Sequence, residues 1–123
     1  MLSSAELIAF VATANSDEAR RFYEGTLGLR VVSDDDFALV LDAHGTMLRV
    51  QKVQDVGARP FTALGWKVTG IRAVVEGLKA KGVEFQSYPG MGQDELGIWH
   101  APSGAYVAWF KDPDGNVLSL TEM

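Results

Sequence analysis

The 123 residues are 47% hydrophobic and 22% charged, the balance of a globular chain able to build one compact core. Sixteen acidic against eleven basic residues leave a formal charge of −5, which argues against nucleic acid or an anionic membrane as partner, because both demand a basic footprint. With no cysteine, disulfides, thiolate nucleophiles and cysteine-ligated zinc or iron–sulfur sites are excluded by inventory.

Leu7 to Thr13 reads as a buried strand. Asn15-Ser16-Asp17-Glu18 then supplies a capping side chain and first-turn carboxylates for a helix whose apolar positions are Ala19, Phe22, Tyr23 and Leu27. Gly25 and Gly28 end it. Three strand-like runs follow, Leu29 to Ser33, Phe37 to Leu41 and Met47 to Val53, with turns at Asp34-Asp35-Asp36 and Asp42-Ala43-His44-Gly45. The order then restarts with a strand at Ala63 to Val68, and Thr69 is the expected cap of a second helix bearing Ile71, Val74, Val75 and Leu78. Lys79, Lys81 and Gly82 mark its end. Further strands are expected at Val83 to Tyr88, Ala105 to Phe110 and Asn116 to Thr121. Between them, 89–104 is a Gly-rich insert whose run Gly97 to Ala101 has the look of an extra strand.

Both halves therefore read as strand, helix, three strands, an α+β chain with an internal repeat. Leu27-Gly28-Leu29 answers Lys81-Gly82-Val83, and Asp42-Ala43-His44-Gly45 answers Asp112-Pro113-Asp114-Gly115. A chance recurrence of two amphipathic helices and several hairpins is the plain alternative. One domain over 1–123 is expected, with a first module at about 5–54 and a second at about 61–123. The N-terminus has no basic stretch leading into a long apolar run, and nothing approaches the roughly 18 to 20 apolar residues of a membrane span. A cytoplasmic protein is expected.

Ser16-Asp17-Glu18-Ala19-Arg20-Arg21-Phe22-Tyr23 with Leu27-Gly28-Leu29 resembles the opening helix of vicinal-oxygen-chelate proteins, the glyoxalase/bleomycin-resistance/dioxygenase superfamily. Phe110-Lys111-Asp112-Pro113-Asp114-Gly115-Asn116-Val117-Leu118 resembles their closing hairpin. The two motifs sit at opposite ends of the chain with the repeat between them. The resemblance implies two βαβββ modules forming a curved mixed-sheet cup, with helices on the convex side, and a homodimer. Asp112-Pro113-Asp114-Gly115 is also plain turn chemistry, proline setting φ and glycine accepting a positive one.

The resemblance further implies four metal-ligand positions, on the first and last strands of each module, usually His and Glu. Seven residues before Asp17 stands Phe10, and seven before Gly70 stands Ala63. On the closing strands the corresponding places are Arg49 and Ser119. A phenyl ring, a methyl, a guanidinium and a hydroxyl do not make a site for a divalent cation. No metal and no cofactor are therefore expected, and Asp34-Asp35-Asp36 reads as a solvated turn.

Alternation places Met47, Arg49 and Gln51 on the cup side of one closing strand, and Val117, Ser119 and Thr121 on that of the other, with Leu48, Val50, Leu118 and Leu120 toward the helices. The expected ligand-binding cup comprises Phe10, Arg49, Gln51, Ala63, Trp99, His100, Tyr106, Trp109 and Ser119. Arg49 would hold a carboxylate or phosphate, or else pair with an internal acid. His100 is either a general acid or base or an exposed loop histidine; His44 lies in a turn. Trp99, Tyr106 and Trp109 are core packing or a stacking wall for a planar molecule. The expected function is metal-free binding of a small molecule, as in drug or metabolite sequestration. The alternatives are a lyase, isomerase or dioxygenase-like enzyme, either metal-free through Arg49 and His100 or metal-dependent.

Overall fold

The computed structural model describes residues 1–123, which form two compact units, Met1–Gly57 and Ala58–Met123. Each repeats a strand, a helix and further strands, with a four-stranded mixed sheet per unit. No helix is long and apolar enough to cross a membrane.

In the first unit, β1 (Ile8–Thr13) leads to α1 (Ser16–Arg20), which continues as a π-helical segment (Arg21–Thr26), then β2 (Arg30–Asp34), β3 (Ala38–Ala43) and β4 (Thr46–Lys52). The sheet order is β1-β4-β3-β2, with β1 and β4 parallel and the other pairs antiparallel. Asn15 caps the helix, its side-chain oxygen accepting the Glu18 N–H at 3.3 Å. The wide second half arises where the Leu27 N–H reaches back to the Phe22 carbonyl at 2.9 Å, and Gly28 in the left-handed region lets the chain leave. Alternation buries Val11, Thr13, Leu39, Leu41, Leu48 and Val50 on one face of the sheet, and the helix buries Ala19 and Tyr23.

The second unit has β5 (Thr62–Lys67), α2 (Ile71–Ala80), the two-residue β6 (Trp99–His100), β7 (Tyr106–Lys111) and β8 (Val117–Glu122), in sheet order β5-β8-β7-β6. Again the first and last strands, β5 and β8, are parallel. Leu118, Leu120, Ala108 and Phe110 form the buried face, and α2, burying Ile71 and Val75, packs on β7 and β8.

Two local expectations change. Thr69 does not cap α2: Gly70 is the N-cap, at φ +69, and the cap is remote, since the Glu122 carboxylate on β8 accepts the Ile71 N–H at 2.7 Å. A glycine there costs no steric strain, and the carboxylate meets the positive end of the helix dipole. Val83 to Tyr88 is not a full strand; its backbone meets β7 at a Phe85–Phe110 bridge and through the Gln86 N–H to the Trp109 carbonyl. Beyond that point Gln93 replaces a neighbouring strand, its amide nitrogen donating to the Gln86 and Gly97 carbonyls while its oxygen accepts the Tyr88 N–H. β6, within the expected run Gly97 to Ala101, pairs at the edge of β7 instead.

Candidate functional site

Each sheet has a face turned away from its buried, helix-side set, and register determines what stands there. In the first sheet Phe10 pairs with Arg49, and Arg49 with Val40 across the next strand. Ile8, Met47 and Asp42 form the adjoining row on one side, and Ala12, Gln51 and Ala38 the row on the other. Phe10 is 53% exposed and Ile8 and Met47 are exposed as well, whereas Val40 and Ala38 are buried within the row.

Arg49 is half-buried, and no carboxylate lies within ion-pairing distance of it. Its charge reaches Asp35 only weakly. The Asp35 carboxyl is held below its ordinary range chiefly by accepting the backbone N–H groups of Phe37 and Ala38, at 2.8 and 3.0 Å, with Arg49 contributing less.

The corresponding row of the second sheet pairs Gly65 with Ser119 and Ser119 with Trp109. This corrects the equivalence drawn from the sequence. Ala63 sits where the β5–β8 register shifts, whereas Gly65 stands five residues before its helix cap, as Phe10 does before Asn15. A Cβ built on Gly65 would lie 2.5 Å from the Ser119 Oγ, so the missing side chain is the space the hydroxyl occupies. Around this floor stand Trp109, Trp99 at 5.9 Å from it between ring centroids, and Tyr88 set edge-on to Trp109 at 5.6 Å. All three are half-buried.

His100 and Tyr106 do not join them. They face each other across β6 and β7, stacked at 4.3 Å, and Tyr106 is level with Glu122. Strand alternation puts this row on the helix side with Ala108 and Phe110, opposite to Trp99 and Trp109. The expected set thus divides by face and by sheet. Phe10, Arg49 and Gln51 share one open face, Trp99, Trp109 and Ser119 share the other, and His100 and Tyr106 lie behind the second.

Tyr88 and Gly65 were not among the expected residues. No sequence signal pointed to Gly65, because its place follows from the β5–β8 register and from a helix cap at Gly70 rather than Thr69, and none pointed to Tyr88, because a loop orients it. As a metal site the four equivalent positions, Phe10, Arg49, Gly65 and Ser119, supply no imidazole or carboxylate, and no group of three His, Asp or Glu side chains is disposed to hold a metal ion. The residues do not fit a divalent ion.

Residues 7–120 match the family model of the glyoxalase/bleomycin resistance protein/dioxygenase superfamily. Among solved structures, a glyoxalase family protein from Enterococcus faecalis is 23% identical, with 99% of this chain and 100% of that chain aligned and a TM-score of 0.77. A superfamily member from Sphaerobacter thermophilus is 21% identical over the whole of both chains, also with a TM-score of 0.77. Lactoylglutathione lyase from Agrobacterium tumefaciens is 16% identical, covering 99% and 96%, again at 0.77. At these identities the likeness is one of fold. No curated protein matches.

Proposed function

The chain belongs to the glyoxalase/bleomycin resistance protein/dioxygenase superfamily, and from that membership we propose that it binds a small organic molecule on the open faces of its sheets without a metal ion. The observation that carries this reading is the second sheet's open face. There a side-chain-free floor at Gly65, a hydroxyl at Ser119 and the rings of Tyr88, Trp99 and Trp109 form a largely aromatic setting with few polar groups. Such a mix of aromatic walls and few polar groups is what small-molecule sites use. The donor set argues against the metal-dependent enzymes of the family. A metal-free enzyme using His100 is less well supported, because His100 is on the helix side of its sheet.

Sequestration of a drug or metabolite by a homodimer is the working form of this reading. Light scattering would give the dimer mass. The binding test is a thermal-shift screen of organic compounds with and without EDTA. A ligand that binds only the native state raises the melting temperature, and the rise should be indifferent to the chelator. One equivalent of tightly held metal, needed for every hit, would overturn the reading.

A further inference from the structure

We propose that the molecule taken up by the first sheet's open face carries an anionic group on a flat apolar body, with Arg49 as the anchor of that group. This rests on the small-molecule reading above and names the ligand class for one of its faces.

Of the five other arginines, Arg20, Arg30 and Arg72 each have at least one carboxylate partner, Glu24 and Asp34 for Arg20, Asp42 for Arg30, and Glu76, Asp94 and Glu95 for Arg72, while Arg21 and Arg59 have no ion pair but are exposed to water. Arg20 and Arg49 are the half-buried pair, and only Arg20 is matched. In a chain with five more acidic than basic residues, Arg49 is thus the half-buried arginine left without an ion pair, on a largely apolar face. A cation withdrawn from water without a counter-charge is destabilising, and the deficit is made good when an anion arrives.

Its neighbours define the rest of the ligand. Phe10 and Val40 flank it across the strands, and Met47 and Gln51 flank it along β4; only the Gln51 amide is polar. Beside this row a hollow of about 290 Å³ is lined by Ile8, Val32, Val40 and Met47 among others. Of the carboxylates on its lining, Asp42 is engaged by Arg30 at 3.6 Å and by the Gly45 N–H at 3.1 Å, and Glu6 is exposed. An apolar ring system can lie in the hollow and against Phe10 while a carboxylate, sulfonate or phosphate meets the guanidinium fork, whose planar geometry suits two parallel hydrogen bonds.

The test uses two dyes with the same apolar body, 8-anilinonaphthalene-1-sulfonate and its uncharged counterpart N-phenyl-1-naphthylamine. Fluorescence titration gives affinity, and amide shifts of isotope-labelled protein give location. The sulfonate should bind at least about tenfold more tightly and move the amides of Phe10, Val40 and Arg49. Arg49→Met should weaken the sulfonate by about ten- to a hundredfold, the scale of a charge-assisted bond, and leave the neutral dye unchanged. Arg21→Met, an exposed cation on the helix, is the control for general charge and should alter neither. If Arg49→Met fails to fold by circular dichroism, Arg49→Gln replaces it. Equal binding of both dyes at these amides, or sulfonate affinity within twofold of wild type in the Arg49 variant, overturns the anionic anchor and leaves small-molecule binding intact. No shift on this face from either dye overturns both for the first sheet.

Discussion

Where the first sheet sets Phe10 beside Arg49, the second sets Gly65 beside Ser119. The strands are equivalent, with parallel first and last strands in both units and buried leucines at matching places on the opposite face, Leu48 in one and Leu118 in the other. The helix starts differ in the same manner, since Asn15 caps α1 from the adjoining loop and Glu122 caps α2 from a strand 51 residues on. The repeat preserves what the backbone and core require. The open faces have diverged, one toward a large ring and a lone cation, the other toward an emptied floor under aromatic rings.

The comparison can be tested where the largest effect is expected, on the buried faces. Leu48→Ala and Leu118→Ala should each cost about 2 to 5 kcal/mol in urea denaturation, the range for a leucine cavity in a packed core. Similar losses would establish the two helix-side faces as equivalent, and a negligible loss from either would break the equivalence. Next comes the floor of the second sheet. Gly65→Ala should destabilise by roughly 1 to 3 kcal/mol through overpacking against the Ser119 hydroxyl. Adding Ser119→Gly should recover most of that, a coupling a double-mutant cycle would read. Phe10→Ala, at an exposed ring, should be nearly neutral to folding.

The caps provide a smaller contrast. Glu122→Ala should cost about 1 to 2 kcal/mol and Asn15→Ala about 1 kcal/mol. A Glu122 variant as stable as wild type would show that α2 starts without its remote carboxylate. Among the polar contacts the smallest effect is expected at Asp34, which the Lys52 ammonium at 2.6 Å and then the Arg20 guanidinium at 3.1 Å hold below the usual carboxylate range. A lowered folded value means that the pairs stabilise above the unfolded pKa and are lost as pH falls through the folded one. At neutral pH Asp34→Asn should therefore cost under about 1 kcal/mol, less in high salt, and should reduce the loss of stability on acidification. An acid-unfolding profile superimposable on that of wild type would remove Asp34 from the account.

Much of the architecture was legible because it is local. Asn15 before a carboxylate-rich turn, glycines past helix ends and the alternating Leu48 and Val50 of β4 and Leu118 and Leu120 of β8 each carry a short-range rule, and the duplicated landmarks tied them into two modules. Arg49 on an open face followed from the same alternation. His100 was misplaced because the insert has no regular period to fix its facing, and only pairing with β7 decides it; Tyr106 stands three residues before Trp109 on β7, so strand alternation by itself puts the two on opposite faces. The loop at 83–98 resisted for a related reason, since the Gln93 side chain replaces a strand partner, and no periodicity records a bond made by a side chain.

Periods of about 3.6 and 2 residues are written in neighbouring side chains, so helices, strands and the face each regular strand buries could be read directly from the chain. Register is a contact between segments far apart in sequence. It alone brought Gly65 rather than Ala63 against Ser119 and delivered the Glu122 carboxylate to the start of α2. It also set Arg49 between Phe10 and Val40, and the fold left it with no carboxylate at ion-pairing distance. Those decisions belong to tertiary structure, because each depends on which distant backbone hydrogen bonds form and which polar groups they leave for a side chain, or a ligand, to meet.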